Sequence, residues 1–174
     1  MPLTKIQSLG ITDGTIVNAD ISASAAIATS KLSGGTNTPA FFAYQGTAQT
    51  YSTTLTKIQL NTESFDTNSN FDSSTNYRFT PTTAGKYFIY GQIFISSPGT
   101  TSYFDAFISK NNSSELWQGT KTTALNIDFA TEVSAIISMN GSTDYIELYG
   151  RNGISKTTGA GSQFTYMTGF KIIE

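Results

Sequence analysis

The sequence predicts an all-β sandwich carried behind an extended N-terminal segment, and three observations predict it. The first is the stretch 71–95, FDSSTNYRFTPTTAGKYFIYGQIFI, a turn followed by a long alternating strand. Pro81 presets its own φ and Gly85 tolerates a positive φ, so the chain can reverse there. From Lys86 to Ile95 one face then reads Tyr87, Ile89, Gly91, Ile93, Ile95 and the other Phe88, Tyr90, Gln92, Phe94. The second is composition. The 174 residues are rich in Thr, Ser, Asn and Gly and hold 12 Phe and 9 Tyr, a mix that suits short strands joined by polar turns. The third is contrast: residues 1–38 contain no Phe, Tyr or Trp, so the aromatic core belongs to residues 39–174.

The N-terminal segment spaces single aliphatics (Ile6, Ile11, Ile16, Ile21, Ile27, Leu32) among small and polar residues, with a turn signal at Asp13-Gly14. A short helix is expected from Ala25 to Lys31, with Ser24 as its N-cap and Gly34 just past its end. Such a helix is too short to stand alone. The segment cannot bury a core of its own, so partners must order it. Leu3, Ile6, Leu9 and Ile11 are the candidate anchoring positions. Thr36 to Pro39 reads as the hinge into the head.

In the head, strands are expected at Ala40–Gln45, Leu55–Leu60, Lys86–Ile95, Tyr103–Ser109, Glu115–Gln118, Ala124–Phe129, Val133–Met139, Tyr145–Tyr149 and Phe164–Ile173. The stretch Asn61–Asn76 reads as a polar loop anchored in the core by Phe65 and Phe71. Lys110–Ser114 and Asn140-Gly141 read as hairpin turns, and Arg151–Ser162 as a Gly/Thr/Ser loop. Val133, Ala135, Ile137 and Met139 face inward, with Ile136 as an exception on the other face.

Several function classes are excluded or disfavoured. Only 13% of residues are charged and the net charge is −2, so a nucleic-acid partner has no electrostatic footing. There is no Cys and no His, which removes disulfides, thiolate chemistry and any Ser-His-Asp site. No apolar run is long enough for membrane insertion, and MPLTKIQSLG lacks the pattern of a signal peptide. Work outside a cell is therefore expected to follow another route, such as lysis. The carboxylates Asp105, Glu115, Asp128, Glu132, Asp144 and Glu147 are scattered, with no spacing that pairs two of them, and no enzyme activity and no cofactor are assigned. Asp66-x-Asn68-x-Asn70-x-Asp72 resembles the start of a calcium loop. It departs from that pattern at Phe71, where Gly is needed, and at Tyr77, where a bidentate Glu is needed, so the loop reads as an Asn/Asp-rich surface. Trp117 and the loops 61–76, 97–102 and 151–163 are the candidates for contact with sugars, against the simpler reading that their aromatics anchor loops to the core.

The strands at 40–45, 86–95 and 164–173 are apolar on both faces, whereas several others are closer to one-sided. A sheet buried twice explains this: once by its own core and once by a second copy of the chain. The candidate interface residues are Phe41, Phe42, Tyr44, Phe88, Tyr90, Phe94, Phe164 and Tyr166.

Two resemblances sharpen the reading. Phe79, Gly85 and Tyr87, spaced F-x5-G-x-Y, resemble the central signature of the complement-q/tumour-necrosis-factor-like jelly rolls. Asp66 and Phe71 stand near its upstream positions, Ala40-Phe41-Phe42-Ala43-Tyr44 is similar to its first strand, and FTYMTGFKII to its last. Ile89 and Gly91 stand where the family continues with aromatics. This resemblance implies a jelly-roll β-sandwich over 39–174 whose inner sheet packs about a threefold axis, hence a homotrimer. Ile11 to Leu32, ITDGTIVNADISASAAIATSKL, resembles connector segments of bacteriophage tail-fibre and related virion proteins, notably from cyanophages and marine phages. It implies a virion-surface location: a short fibre, head spike or decoration protein that mounts on a capsid or tail protein through its N-terminus and displays its head towards a host-surface glycan. The alternative from another class is a free carbohydrate-binding module that never joins a particle.

Overall fold

The structure, a computed structural model, describes residues 21–22, 37–96, 99, 102–112, 115–123 and 127–172. The chain divides into two compact units, Met1–Gly35 and Thr36–Glu174, and the described strands all lie in the second. The anchoring positions Leu3, Ile6, Leu9 and Ile11, the Asp13-Gly14 turn and the helix expected over Ala25–Lys31 lie outside the described residues.

The strands run, in chain order, β1 (Ala40–Tyr44), β2 (Thr50–Tyr51), β3 (Thr56–Lys57), β4 (Thr62–Asp66), β5 (Phe71–Asp72), β6 (Arg78–Phe79), β7 (Gly85–Ile95), β8 (Ser102–Lys110), β9 (Glu115–Thr123), β10 (Phe129–Met139), β11 (Ile146–Asn152), β12 (Lys156–Thr157) and β13 (Tyr166–Lys171). They form one five-stranded sheet, β10-β7-β13-β1-β4, and a second sheet, β5-β6-β11-β8-β9, with β3 also paired to β11. A two-stranded ribbon, β12-β2, stands beside them. All the pairings are antiparallel.

Alternation places one row of each long strand inside. Tyr87, Ile89, Ile93 and Ile95 of β7 meet Phe104, Ile108, Ile146 and Leu148 of the second sheet in one continuous core. Gly91 sits in that row because a β-carbon there would lie 2.6 Å from Leu148 Cδ1; the side chain it lacks is space that Leu148 fills. Phe41, Phe79 and Phe71 stack at the end where the chain enters, with centroids 4.3 and 5.3 Å from Phe41. There the Tyr87 hydroxyl donates to the Thr83 carbonyl at 2.7 Å, and burial pushes its phenol up to about 12. Gly85 opens β7 with φ at 145°, as the turn reading requires. The Thr38–Pro39 peptide bond is cis. Lys171 N–H donates to the Pro39 carbonyl at 3.0 Å and Ala40 pairs with Phe170, so the head begins and ends side by side.

Several expected elements differ. Leu55–Leu60 shortens to β3, after which Ile58 N–H still reaches the Leu148 carbonyl at 2.9 Å and both Ile58 and Leu60 are fully buried. The expected loop 61–76 contains β4 and β5. Phe71 anchors it as expected, but Phe65 does not: it lies 49% exposed opposite Phe42, on the side of the sheet away from the core. The short return strand around Trp117 extends into the nine-residue β9. β10 starts at Phe129 and pairs with the whole of β7, while residues 124–126 lie outside the described ones. Asn111 and Asn112 turn the β8–β9 hairpin with φ of 53° and 59°. Asn140-Gly141 does not make a hairpin. It carries the chain from one sheet to the other, the Asn140 side-chain oxygen accepting the N–H groups of Ser142, Thr143 and Asp144.

Candidate interaction surface

The outer face of the five-stranded sheet is built from the second row of each strand. The register sets Phe88 and Phe170 side by side, then Tyr90 and Thr168, then Gln92 and Tyr166. Phe42 continues the row on β1 and Phe65 on β4, while Ile136 lies opposite Phe88 on β10. Their rings form connected groups: Phe42 lies 4.9 Å from Tyr166 and 6.5 Å from Phe65, and Tyr90 lies 5.7 Å from Tyr166. Phe88 meets Phe170 at 5.6 Å and Phe94 meets Phe164 at 4.7 Å. Ile136 is 60% exposed and Phe170 38%.

Three polar side chains at the centre of this face, Tyr90, Gln92 and Thr168, are hydrogen-bonded within the chain. Gln92 Oε1 accepts from the Tyr90 hydroxyl at 3.1 Å, and its Nε2 donates to the Phe164 carbonyl at 2.8 Å. Thr168 Oγ1 donates to the Phe41 carbonyl at 2.8 Å. Burial, and then the neighbouring Tyr166, push the Tyr90 phenol well above its ordinary range, so it stays uncharged. These three can be covered without stranding a donor or acceptor.

Of the eight interface candidates, seven lie on this face and half-buried: Phe42, Tyr44, Phe88, Tyr90, Phe94, Phe164 and Tyr166. Phe41 does not belong there. Alternation turns it inward, where it is fully buried on Phe79 and Phe71. Sequence reasoning left out Phe65, Ile136 and Phe170. Phe170 shares the period-two row of Tyr166, and Ile136 already broke the pattern of its strand; both signals were available. Phe65 carried no such signal, because its strand is almost entirely exposed.

The outer side of the second sheet has the opposite chemistry. Glu147 is buried there, with Lys57 Nζ at 2.5 Å and the Tyr149 hydroxyl at 3.1 Å. Asp105, also buried, accepts from Arg151 at 2.7 and 3.1 Å and from Thr120 Oγ1 at 2.7 Å. Trp117 packs against the core. In the 66–72 loop both carboxylates are engaged by the loop itself. Asp66 accepts the N–H groups of Asn68 and Phe71. Asp72 accepts those of Ser74, Thr75 and Asn76, of which the Thr75 bond does most to hold its carboxyl well below the usual range.

The fold has clear counterparts among solved structures. The globular domain of zebrafish complement 1qA superposes with a TM-score of 0.60 at 13% identity, over 77% of this chain and 96% of that one. Murine APRIL at pH 5.0 gives 0.60 at 8%, over 76% and 98%. Eiger TNF from S. frugiperda gives 0.58 at 11%, over 76% and 91%. The head is a complement-q/tumour-necrosis-factor-like jelly roll. No family model and no curated protein matches the chain by sequence, and at these identities the structural likeness speaks for the fold alone. Within the jelly roll, the aromatic face belongs to the sheet that contains both the first and the last strand.

Proposed function

We propose that the chain is a homotrimeric virion-surface protein of a tailed phage, a short fibre, spike or decoration protein whose jelly-roll head is displayed outward and whose residues 1–38 mount it. The observation that carries the reading is the aromatic face on the five-stranded sheet, with Tyr90, Gln92 and Thr168 at its centre already hydrogen-bonded. Exposed apolar area of this kind marks an interaction site, and a second copy of the same chain offers a matching face. The jelly-roll likeness supports a threefold arrangement, and the connector-like stretch Ile11–Leu32 supports the virion location. The work is architecture and contact rather than catalysis. Three weak glycan contacts on one trimer would act together.

Light scattering on a sizing column tests the assembly. The full chain and residues 36–174 are both expected at three times the chain mass, and Tyr90→Asp with Ile136→Asp is expected to give a folded monomer. Monomers for both unmutated proteins would overturn the trimer and bring forward the free carbohydrate-binding module. Particles grown with residues 1–12 deleted are expected to lack the protein; normal incorporation would remove the anchoring role of Leu3, Ile6, Leu9 and Ile11.

A further inference from the structure

On the outer side of the second sheet, β5, β6 and the residues beside them border an open, shallow depression of about 290 Å³, lined by Ser69, Asn70, Asp72, Arg78 and Thr80 among others. Asp72 and Arg78 stand opposite each other across the β5–β6 pair, yet they form no ion pair. The reason is visible in Asp72. Its Oδ1 accepts from Ser74 N–H at 3.0 Å, Ser74 Oγ at 3.0 Å and Thr75 N–H at 2.9 Å. Its Oδ2 accepts from Asn76 N–H at 3.1 Å and Asn76 Nδ2 at 2.6 Å. Asn70 is equally occupied, its oxygen by Thr82 N–H at 3.2 Å and its amide by the Asn68 carbonyl at 3.1 Å. Arg78 also faces Glu147 on its other side, but that carboxylate is taken by Lys57 and Tyr149.

The donors are in the opposite state. The Arg78 guanidinium lies 4.3 Å over the Tyr145 ring, a cation–π contact that helps hold it there. Among the described residues it makes no hydrogen bond or ion pair, and the hydroxyls of Ser69 and Thr80 make no hydrogen bond. The depression thus offers a guanidinium and two hydroxyls, while the Asp72 carboxylate and the Asn70 side-chain oxygen are already hydrogen-bonded. A guanidinium with hydroxyls beside it complements a ligand that carries both an anionic group and hydroxyls, and an Arg fork pairs bidentately with a planar carboxylate. The volume is at the small end of ligand clefts, and the rim is hydroxyl and amide rather than apolar, which suits a sugar ring better than a peptide side chain.

We propose that this depression is a subsite for an acidic saccharide residue, a uronate above all, with Arg78 binding its carboxylate and Ser69 and Thr80 its hydroxyls. The proposal rests on the surface-contact reading above and names the class of glycan. The test is a heteronuclear NMR titration of the full chain with trigalacturonate, with the uncharged galactose trisaccharide and with sodium sulfate. Trigalacturonate is expected to shift resonances of Ser69, Arg78 and Thr80, with the neutral trisaccharide at least about tenfold weaker. Arg78→Gln and Arg78→Lys are each expected to weaken trigalacturonate about tenfold while the protein stays folded. Shifts confined to other surfaces, unchanged affinity in a folded Arg78→Gln protein, or equal binding of the neutral trisaccharide would each overturn the subsite. Sulfate displacing trigalacturonate at equal concentration would overturn the assignment to a sugar. Light scattering on the same samples separates the two claims: a monomer that binds sinks only the assembly, and a trimer that does not bind sinks only the subsite.

Discussion

Glu147 shows how the polar side of the head is held. A carboxylate with 3% of its side chain exposed costs several kcal/mol to desolvate, and the Lys57 ammonium 2.5 Å away offsets most of that cost. Lys57→Met is therefore expected to destabilise the head by about 3 kcal/mol, near the lower end for a broken buried pair because Lys57 itself is 34% exposed. Urea unfolding at pH 7 measures it, and Lys57→Met combined with Glu147→Gln should recover much of the loss. Asp144 gives the pH dependence. The Asn111 amide at 2.8 Å, the Asn140 N–H at 2.9 Å and Lys110 at 3.2 Å hold its carboxyl below the ordinary range. A lowered folded-state value means stability that is fully present above the unfolded value of about 3.9 and lost as pH falls through the folded one. The gap in unfolding free energy between wild type and Asp144→Asn should therefore be widest near neutrality and shrink below about pH 4. A constant gap from pH 7 to pH 3 would contradict this. Asp72 is also held down, so the stability it supplies is likewise lost towards acid.

At the level of the strand, β7 was legible because both of its rows are apolar, and that double pattern also told where the aromatic face would lie. The same pattern could not say which row of β1 points inward, since Phe41 and Phe42 look alike until the Phe79 and Phe71 rings are in place. β4 was illegible for a different reason. Its burial runs from intermediate to exposed along the whole strand, and the register shifts beside Phe42 and Ala43, so neither alternation nor apolarity marks it. Asn140-Gly141 misled because turn chemistry reports a change of direction and not the sheet that receives the next strand. Gly91 carries the prediction at this scale. Gly91→Ala drives a β-carbon to 2.6 Å from Leu148 Cδ1 and should cost about 1–3 kcal/mol by overpacking. Leu148→Ala alone should cost about 2–5 kcal/mol through its cavity. The double variant should be more stable than the sum of the two losses implies; strict additivity would show that Leu148 is not what fills the space.

Across the molecule the two sheets divide the labour. One turns aromatic rings outward around the hydrogen-bonded Tyr90, Gln92 and Thr168; the other spends its outer side on ion pairs and lays the Arg78 guanidinium over the Tyr145 ring. The head also begins and ends on neighbouring strands, with β13 and β4 flanking β1. That arrangement sets a response to mechanical load. Pulling the two chain ends apart opens the β1–β13 ladder like a zipper, one pair at a time. Pulling the far end of the head against the start of β1 instead slides that strand between two ladders, and all of its hydrogen bonds must give way together. The jelly roll is weak along the line joining its two ends and strong along the length of β1.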